Sequence, residues 1–206
     1  IILVLDTKGR IVRFNPYLEQ LSGHLSEELA GKDWFASLLP KAEQKRLRRW
    51  FLKFIGGDQT YHNINPILTK NGKLRIIEWN NTPLRDELGH INGVLSVGQD
   101  ITERQQAQKR IAQLDRMRAV LAGVDRAIVR TTDRQKLLDE ICRVSVEKGG
   151  FNLAWIGLVA ADGFVQPAAR AGATSYLKDI RVVTQDVPEG CGPVGTAIRE
   201  NRTVLI

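Results

Sequence analysis

The side-chain pattern of this chain changes period at Asp100-Ile101-Thr102, and that change constrains the fold more than any other feature. Before it, the segments from about Tyr61 to Thr69, Lys73 to Leu84 and Ile91 to Gln99 read as strands. The turns Lys70-Asn71-Gly72 and Asp86-Glu87-Leu88-Gly89 join them, each ending in the glycine a hairpin favours. After it, Ala107, Ile111, Leu114, Met117, Leu121, Val124 and Ile128 recur at intervals of three and four with charged residues between them, the pattern of a helix. Two readings of that stripe stand: a seam for a second copy of the helix, or a face packed on its own domain.

Upstream, Ile1 to Leu5 and Arg10 to Phe14 flank the turn Asp6-Thr7-Lys8-Gly9 and read as a hairpin. Asn15-Pro16 opens a short helix through Leu21, Ser26 to Leu29 forms another turn, and a longer amphipathic helix covers about Asp33 to Ile55, interrupted near Pro40. Strands, short helices and three further strands make an α+β domain of about a hundred residues. With 206 residues there is room for a second. It would hold a helix at about Asp133 to Glu147, strands at Leu153 to Val159 and Val165 to Arg170, a helix at Pro193 to Arg199 and a strand from about Arg202. That last strand has nothing after it to pair with, so a fragment of a longer protein is expected.

A formal charge of +7 raises the question of nucleic acid. The densest basic stretch, Lys41, Lys45, Arg46, Arg48, Arg49 and Lys53, alternates with Leu47, Trp50, Phe51 and Phe54 at helical spacing. Its aromatics fall on the apolar side, where they cannot stack on bases, so a solvated helix face is expected and no nucleic acid. No apolar run approaches the roughly 20 residues of a membrane-spanning helix. The two cysteines, Cys142 and Cys191, are read as reduced thiols, and the expected location is cytoplasmic.

The first unit resembles a PAS domain with its C-terminal PAC portion. The residues that carry this are Asp6 to Pro16, Gly31-Lys32, Asn71-Gly72, Thr82-Pro83-Leu84 with Asp86 and Gly89, and most specifically Gly98-Gln99-Asp100-Ile101-Thr102-Glu103-Arg104. The segment from about Leu121 is similar to the N-terminal half of a GAF domain, through Ile141-Cys142, Gly149-Gly150-Phe151, Leu153 to Gly157 and Gly190 to Arg199. These resemblances imply a PAS/PAC sensory domain over 1–103, a coiled-coil-like linker over 104–130 and a partial GAF domain over 131–206: an antiparallel sheet with flanking helices, a long helix and a partial α+β domain. The first resemblance also gives Asp100 and Thr102 the task of holding the last strand to the outgoing helix. A plain N-cap is the alternative, since a carboxylate and a hydroxyl at a helix start suit either.

Many PAS domains hold a cofactor between sheet and long helix. The flavin-binding LOV subgroup requires a cysteine after Gly31-Lys32, and its flavin-contacting amides align with Ile67, Ile77 and Gly98, so LOV-type flavin is not expected. The histidines, His24, His62 and His90, lie off the long helix and apart from one another, so neither haem nor a metal site is expected. Alternation places Ile77, Trp79 and Asn81 on one strand face. With Ile67 and Gly98 they outline a candidate pocket for a small, mostly apolar ligand, Asn81 being its lone polar group; a filled core is the alternative. Trp34 and Trp50 are read as core. Gly190, Gly192 and Gly195 follow the spacing of a dinucleotide loop but lack its strand and βαβ context.

No nucleophile with a base, paired carboxylates or phosphate-binding lysine loop is legible, so this chain is not expected to be an enzyme. The expectation is the input region of a multidomain signalling protein, homodimeric through its linker. A ligand, redox event or partner would act on an absent histidine kinase or cyclic-di-GMP cyclase or phosphodiesterase. The alternative is a transcriptional regulator whose basic helix face contacts nucleic acid.

Overall fold

The computed structural model describes residues 1–57, 61–178 and 180–205. The chain divides into two compact units, Ile1–Gln108 and Lys109–Ile206.

In the first unit, β1 (Ile2–Asp6) and β2 (Ile11–Phe14) pair antiparallel around a turn held by Asp6, whose carboxylate accepts from the Lys8 and Arg10 N–H groups at 2.9 and 2.8 Å. Gly9 is required there: its φ is +78°, and a Cβ would sit 2.5 Å from the Phe35 ring. Helices α1 (Pro16–Ser22), α2 (Ser26–Leu29), α3 (Trp34–Leu38) and α4 (Lys41–Ile55) follow. The long helix read from the sequence is thus two helices. Leu39, which precedes Pro40, is extended at φ −109°, ψ 144°, because a proline disfavours helical backbone in the residue before it.

Strands β3 (Tyr61–Leu68), β4 (Leu74–Arg85) and β5 (Ile91–Asp100) complete a five-stranded antiparallel sheet in the order β2-β1-β5-β4-β3. Pro66, which has no N–H to give a ladder, lies on the edge strand β3. The unit is α+β, an antiparallel sheet with flanking helices. One sheet face buries Leu3, Leu5, Ile67, Ile77 and Val94 against Leu38 of α3 and Leu47, Phe51 and Phe54 of α4. The hydrophobic effect of that burial, not helix propensity, holds such short helices in place.

Helix α5 (Thr102–Arg130) is unbroken over 29 residues. Of the apolar stripe, Ile111, Leu114, Met117, Leu121 and Ile128 are exposed. Beyond Thr102 at its start, the buried positions of α5 are instead Gly123 and Ala127, with Val144 of α6 (Arg134–Gly149) against Gly123. Asp133 caps α6, accepting from the Lys136 N–H at 2.9 Å. Strands β6 (Leu153–Val159) and β7 (Val165–Gly172) form an antiparallel hairpin, and single 3-10 turns at Thr174–Lys178 and Pro188–Gly190 precede α7 (Pro193–Glu200). The strand anticipated from Arg202 is absent among the described residues, since no neighbouring strand offers residues 202–205 a ladder.

Candidate functional site

Alternation along three adjacent strands aims polar and aromatic side chains at the helices covering the sheet. On β4, Trp79 and Asn81 point inward; on β3, Asn63 and Asn65; on β5, Val94 and Ser96. They border a cavity of about 40 Å³. Trp34 and Phe35 of α3 close it on one side, Trp50, Phe51 and Phe54 of α4 on another, and Leu3 and Leu5 of β1 from beneath. Trp34 meets Trp79 edge-on with ring centres 5.6 Å apart, and Trp50 lies against Tyr61 at 4.1 Å.

Asn81 is therefore not the lone polar group expected from the sequence. The Ser96 hydroxyl donates to the Asn81 side-chain oxygen at 2.6 Å, and the Asn81 amide donates to Asn63 at 2.8 Å and to the Tyr61 carbonyl at 3.2 Å. Asn63 in turn donates to Asn65 at 2.7 Å, and Asn65 to the Pro66 carbonyl at 3.2 Å. This line of four side chains crosses three strands because Asn81 pairs with Ser96 on one side and Tyr61 on the other, with Asn63 opposite Trp79. Asn63, Asn65 and Ser96 are not singled out by the sequence reading, although Asn63 and Asn65 stand four and two residues before Ile67, in phase with it on one strand face.

Of the other candidates, Trp79 and Asn81 line the cavity, as do Trp34 and Trp50. Ile67 and Ile77 are fully buried in the adjoining core and are not among the lining residues. Gly98 lies opposite Trp79, and a Cβ there would come within 2.7 Å of the indole, so the glycine makes room for the ring.

Every side chain lining the cavity is uncharged. A charge pair sits just outside it. Asp33 caps α3 by accepting from the Ala36 N–H at 2.8 Å, and its other carboxylate oxygen takes the Arg48 guanidinium, which also lies 4.8 Å over the Phe35 ring. Burial works against the Asp33 carboxylate, but Arg48 and the helix N–H groups outweigh it and hold its pKa below the ordinary aspartate value.

At the other end of β4, the Asp100 carboxylate accepts from both the N–H and the hydroxyl of Thr102, at 2.8 and 2.5 Å. Arg75 stands 3.7 Å from the other Asp100 oxygen. The Thr102 hydroxyl accepts from the Ile76 N–H at 2.8 Å, and the Ile101 N–H donates to the Ile76 carbonyl at 2.9 Å. Strand β4 is thus bonded directly to the first residue of α5.

In the second unit, a Cβ on Gly195 would lie 2.2 Å from the Gly190 carbonyl oxygen, and Arg199 donates to that same carbonyl at 2.7 Å, so these glycines close a loop on α7. Among the described residues no helix is long and apolar enough to cross a membrane.

The PAS domain of the Cronobacter turicensis RpfR quorum-sensing receptor, solved in complex with C12:0, is 29% identical over 50% of this chain and 93% of its own, with a TM-score of 0.42. The PAS domain of a Colwellia psychrerythraea protein is 24% identical over 50% of this chain and 86% of its own, with a TM-score of 0.46. The bacterioopsin transcriptional activator of Halobacterium salinarum is 24% identical over 163 residues, 74% of this chain. That share exceeds the first unit, so the similarity runs on into the second. The chain spans about a quarter of that relative's length, 24%. The sequence model of the PAS fold matches residues 1–106, and with slightly more than half of its residues inside that match, the chain belongs to the PAS fold family.

Proposed function

We propose that this chain is the sensing input region of a longer regulatory protein. A small, largely apolar molecule in the cavity of the first unit alters the junction of β4 with α5, and α5 carries the change by pairing with α5 of a second copy. The observation that carries the reading is the position of β4. The strand whose Trp79 and Asn81 border the cavity gives both backbone groups of Ile76 to the start of α5. A ligand that moves Asn81 acts on an element five residues from that junction and rigidly hydrogen-bonded throughout.

The exposed apolar stripe supports the pairing. At about 1.5 Å per residue the 29-residue helix is roughly 43 Å long, and Ile111, Leu114, Met117, Leu121 and Ile128 lie along it at the spacing of a two-stranded seam. In this reading residues up to Arg104 include a PAC portion, the second unit is the first part of a GAF domain, the protein works in the cytoplasm, and catalysis belongs to an output domain elsewhere, a histidine kinase or a cyclic-di-GMP enzyme. A second output, transcriptional control, is favoured by the name of the Halobacterium relative. The basic face of α4 is a weak candidate for the nucleic-acid contact, because Arg46 and Arg48 are already engaged by Glu43 and Asp33.

Light scattering of the purified chain tests the pairing. Leu114 is 48% exposed, so Leu114→Asp leaves the monomer core intact. A dimeric mass for the wild type that halves in the variant supports the reading; monomeric mass in both overturns it. Native mass spectrometry of the same sample reports whether a small molecule is retained.

A further inference from the structure

The direction of the buried hydrogen-bond line is set by the backbone. Asn81 must present its NH2 to the Tyr61 carbonyl and Asn65 its NH2 to the Pro66 carbonyl, since a carbonyl only accepts. With both ends anchored, Asn63 can only donate onward to Asn65. Asn81 spends both amide hydrogens, on Tyr61 and Asn63. Asn63 and Asn65 each spend one of two, so each keeps a second N–H with no partner among the described residues. Asn65 is only 4% exposed. Both asparagines line the cavity, so these unspent donors belong to a wall that is elsewhere largely apolar, with three indoles and three phenyl rings beside aliphatic side chains.

From this, and resting on the ligand-binding reading above, we infer that the cavity selects a small uncharged molecule with an apolar body and a carbonyl oxygen as its polar end, the oxygen accepting from Asn63 and Asn65. A carboxylate would be buried with no cation among the lining residues to face it. A pure hydrocarbon would leave both donors unpaired and strip any water from them. The present volume of about 40 Å³ admits only a few waters, so the ligand enters by displacing part of the wall. Trp50, only partly buried between Phe54 and Tyr61, is the movable side chain.

The test is an NMR titration of the whole chain with acetophenone, ethylbenzene and benzoate, following the indole N–H signals of Trp34, Trp50 and Trp79 and the side-chain NH2 signals of the asparagines. Acetophenone binding about tenfold more tightly than either analogue, and shifting the Asn63 and Asn65 NH2 signals, supports the assignment. Loss of that preference in Asn65→Leu or in Asn63→Leu, each a single change, supports it further. The wild-type ranking stands without the variants should either fail to fold. Ethylbenzene binding as tightly, or benzoate more tightly, overturns the carbonyl-acceptor assignment while leaving the cavity as a binding site. If none of the three moves the indole signals, the binding reading itself is overturned and the assignment with it.

Discussion

The Thr102 hydroxyl takes the place of a strand carbonyl for Ile76, whose N–H donates to it at 2.8 Å. The antiparallel ladder would give that N–H the carbonyl of Ile101. That carbonyl already accepts from the Gln105 N–H at 2.9 Å, the first bond of the α5 helix. Strand and helix compete for one acceptor, and the threonine supplies a second. Asp100 makes this possible by accepting the hydroxyl proton, which turns the oxygen lone pairs toward Ile76.

Thr102→Val removes the substitute acceptor at a site only 6% exposed, leaving the Ile76 N–H buried and unpaired. The expected loss is about 1–3 kcal/mol of stability. Thr102→Ser keeps the oxygen and most of the stability. Urea unfolding of the three proteins checks this, and equal midpoints for Val and Thr would sink the account.

Gly98→Ala places a methyl group 2.7 Å from the Trp79 ring and 2.8 Å from the Ile77 side chain. Both are buried, so relieving the clash means shifting packed side chains, and overpacking costs about 1–3 kcal/mol. The Trp79 indole N–H signal should also shift, because the ring must tilt toward Trp34. An unchanged melting temperature and spectrum contradict this packing.

The lowered pKa of Asp33 sets a pH dependence. A carboxylate whose folded pKa lies below its unfolded value of about 3.9 contributes stability above that pH, and the contribution is lost as pH falls through the folded pKa. Arg48→Met removes the guanidinium partner, so the Asp33 pKa rises and part of that stability disappears at neutral pH. Since the pair is about a third exposed on each side, the effect is modest. Side-chain carboxyl NMR from pH 2 to 6 measures both values, and an unmoved Asp33 in the variant counts against the pairing.

The two thiols differ in reactivity. Burial, reinforced by Asp139, pushes the Cys142 pKa up, and the side chain is sealed in the second unit, whereas Cys191 is exposed. Under native conditions a thiol reagent should modify Cys191 promptly and Cys142 only after unfolding. Mass mapping after brief treatment distinguishes them, and early labelling of Cys142 contradicts its burial.

Local chemistry made much of the fold legible before any tertiary contact was known. The glycine-ended turns, the hairpin around Asp6 to Gly9 and the helix starts near Asp33 and Asp133 depend on neighbours a few residues away, so residue type and spacing suffice to read them. The Asp100-Thr102 pair belongs to this class as far as its capping bonds to one another go. Its bond to Ile76 does not, because nothing local says which strand lies alongside.

The candidate site divides the same way. Alternation alone determined that Trp79 and Asn81 share a face with Ile77, and the three-and-four spacing determined that α5 carries an apolar stripe. Only the tertiary structure decided that Asn63, Asn65 and Ser96 join Asn81 in one hydrogen-bonded line, that Trp34 and Trp50 wall a cavity, and that the chain leaves most of its own stripe uncovered while burying Gly123 and Ala127. The reason is that periodicity reports which side of an element a residue occupies, whereas adjacency depends on strand order and register, which are set by how the whole apolar surface is buried at once.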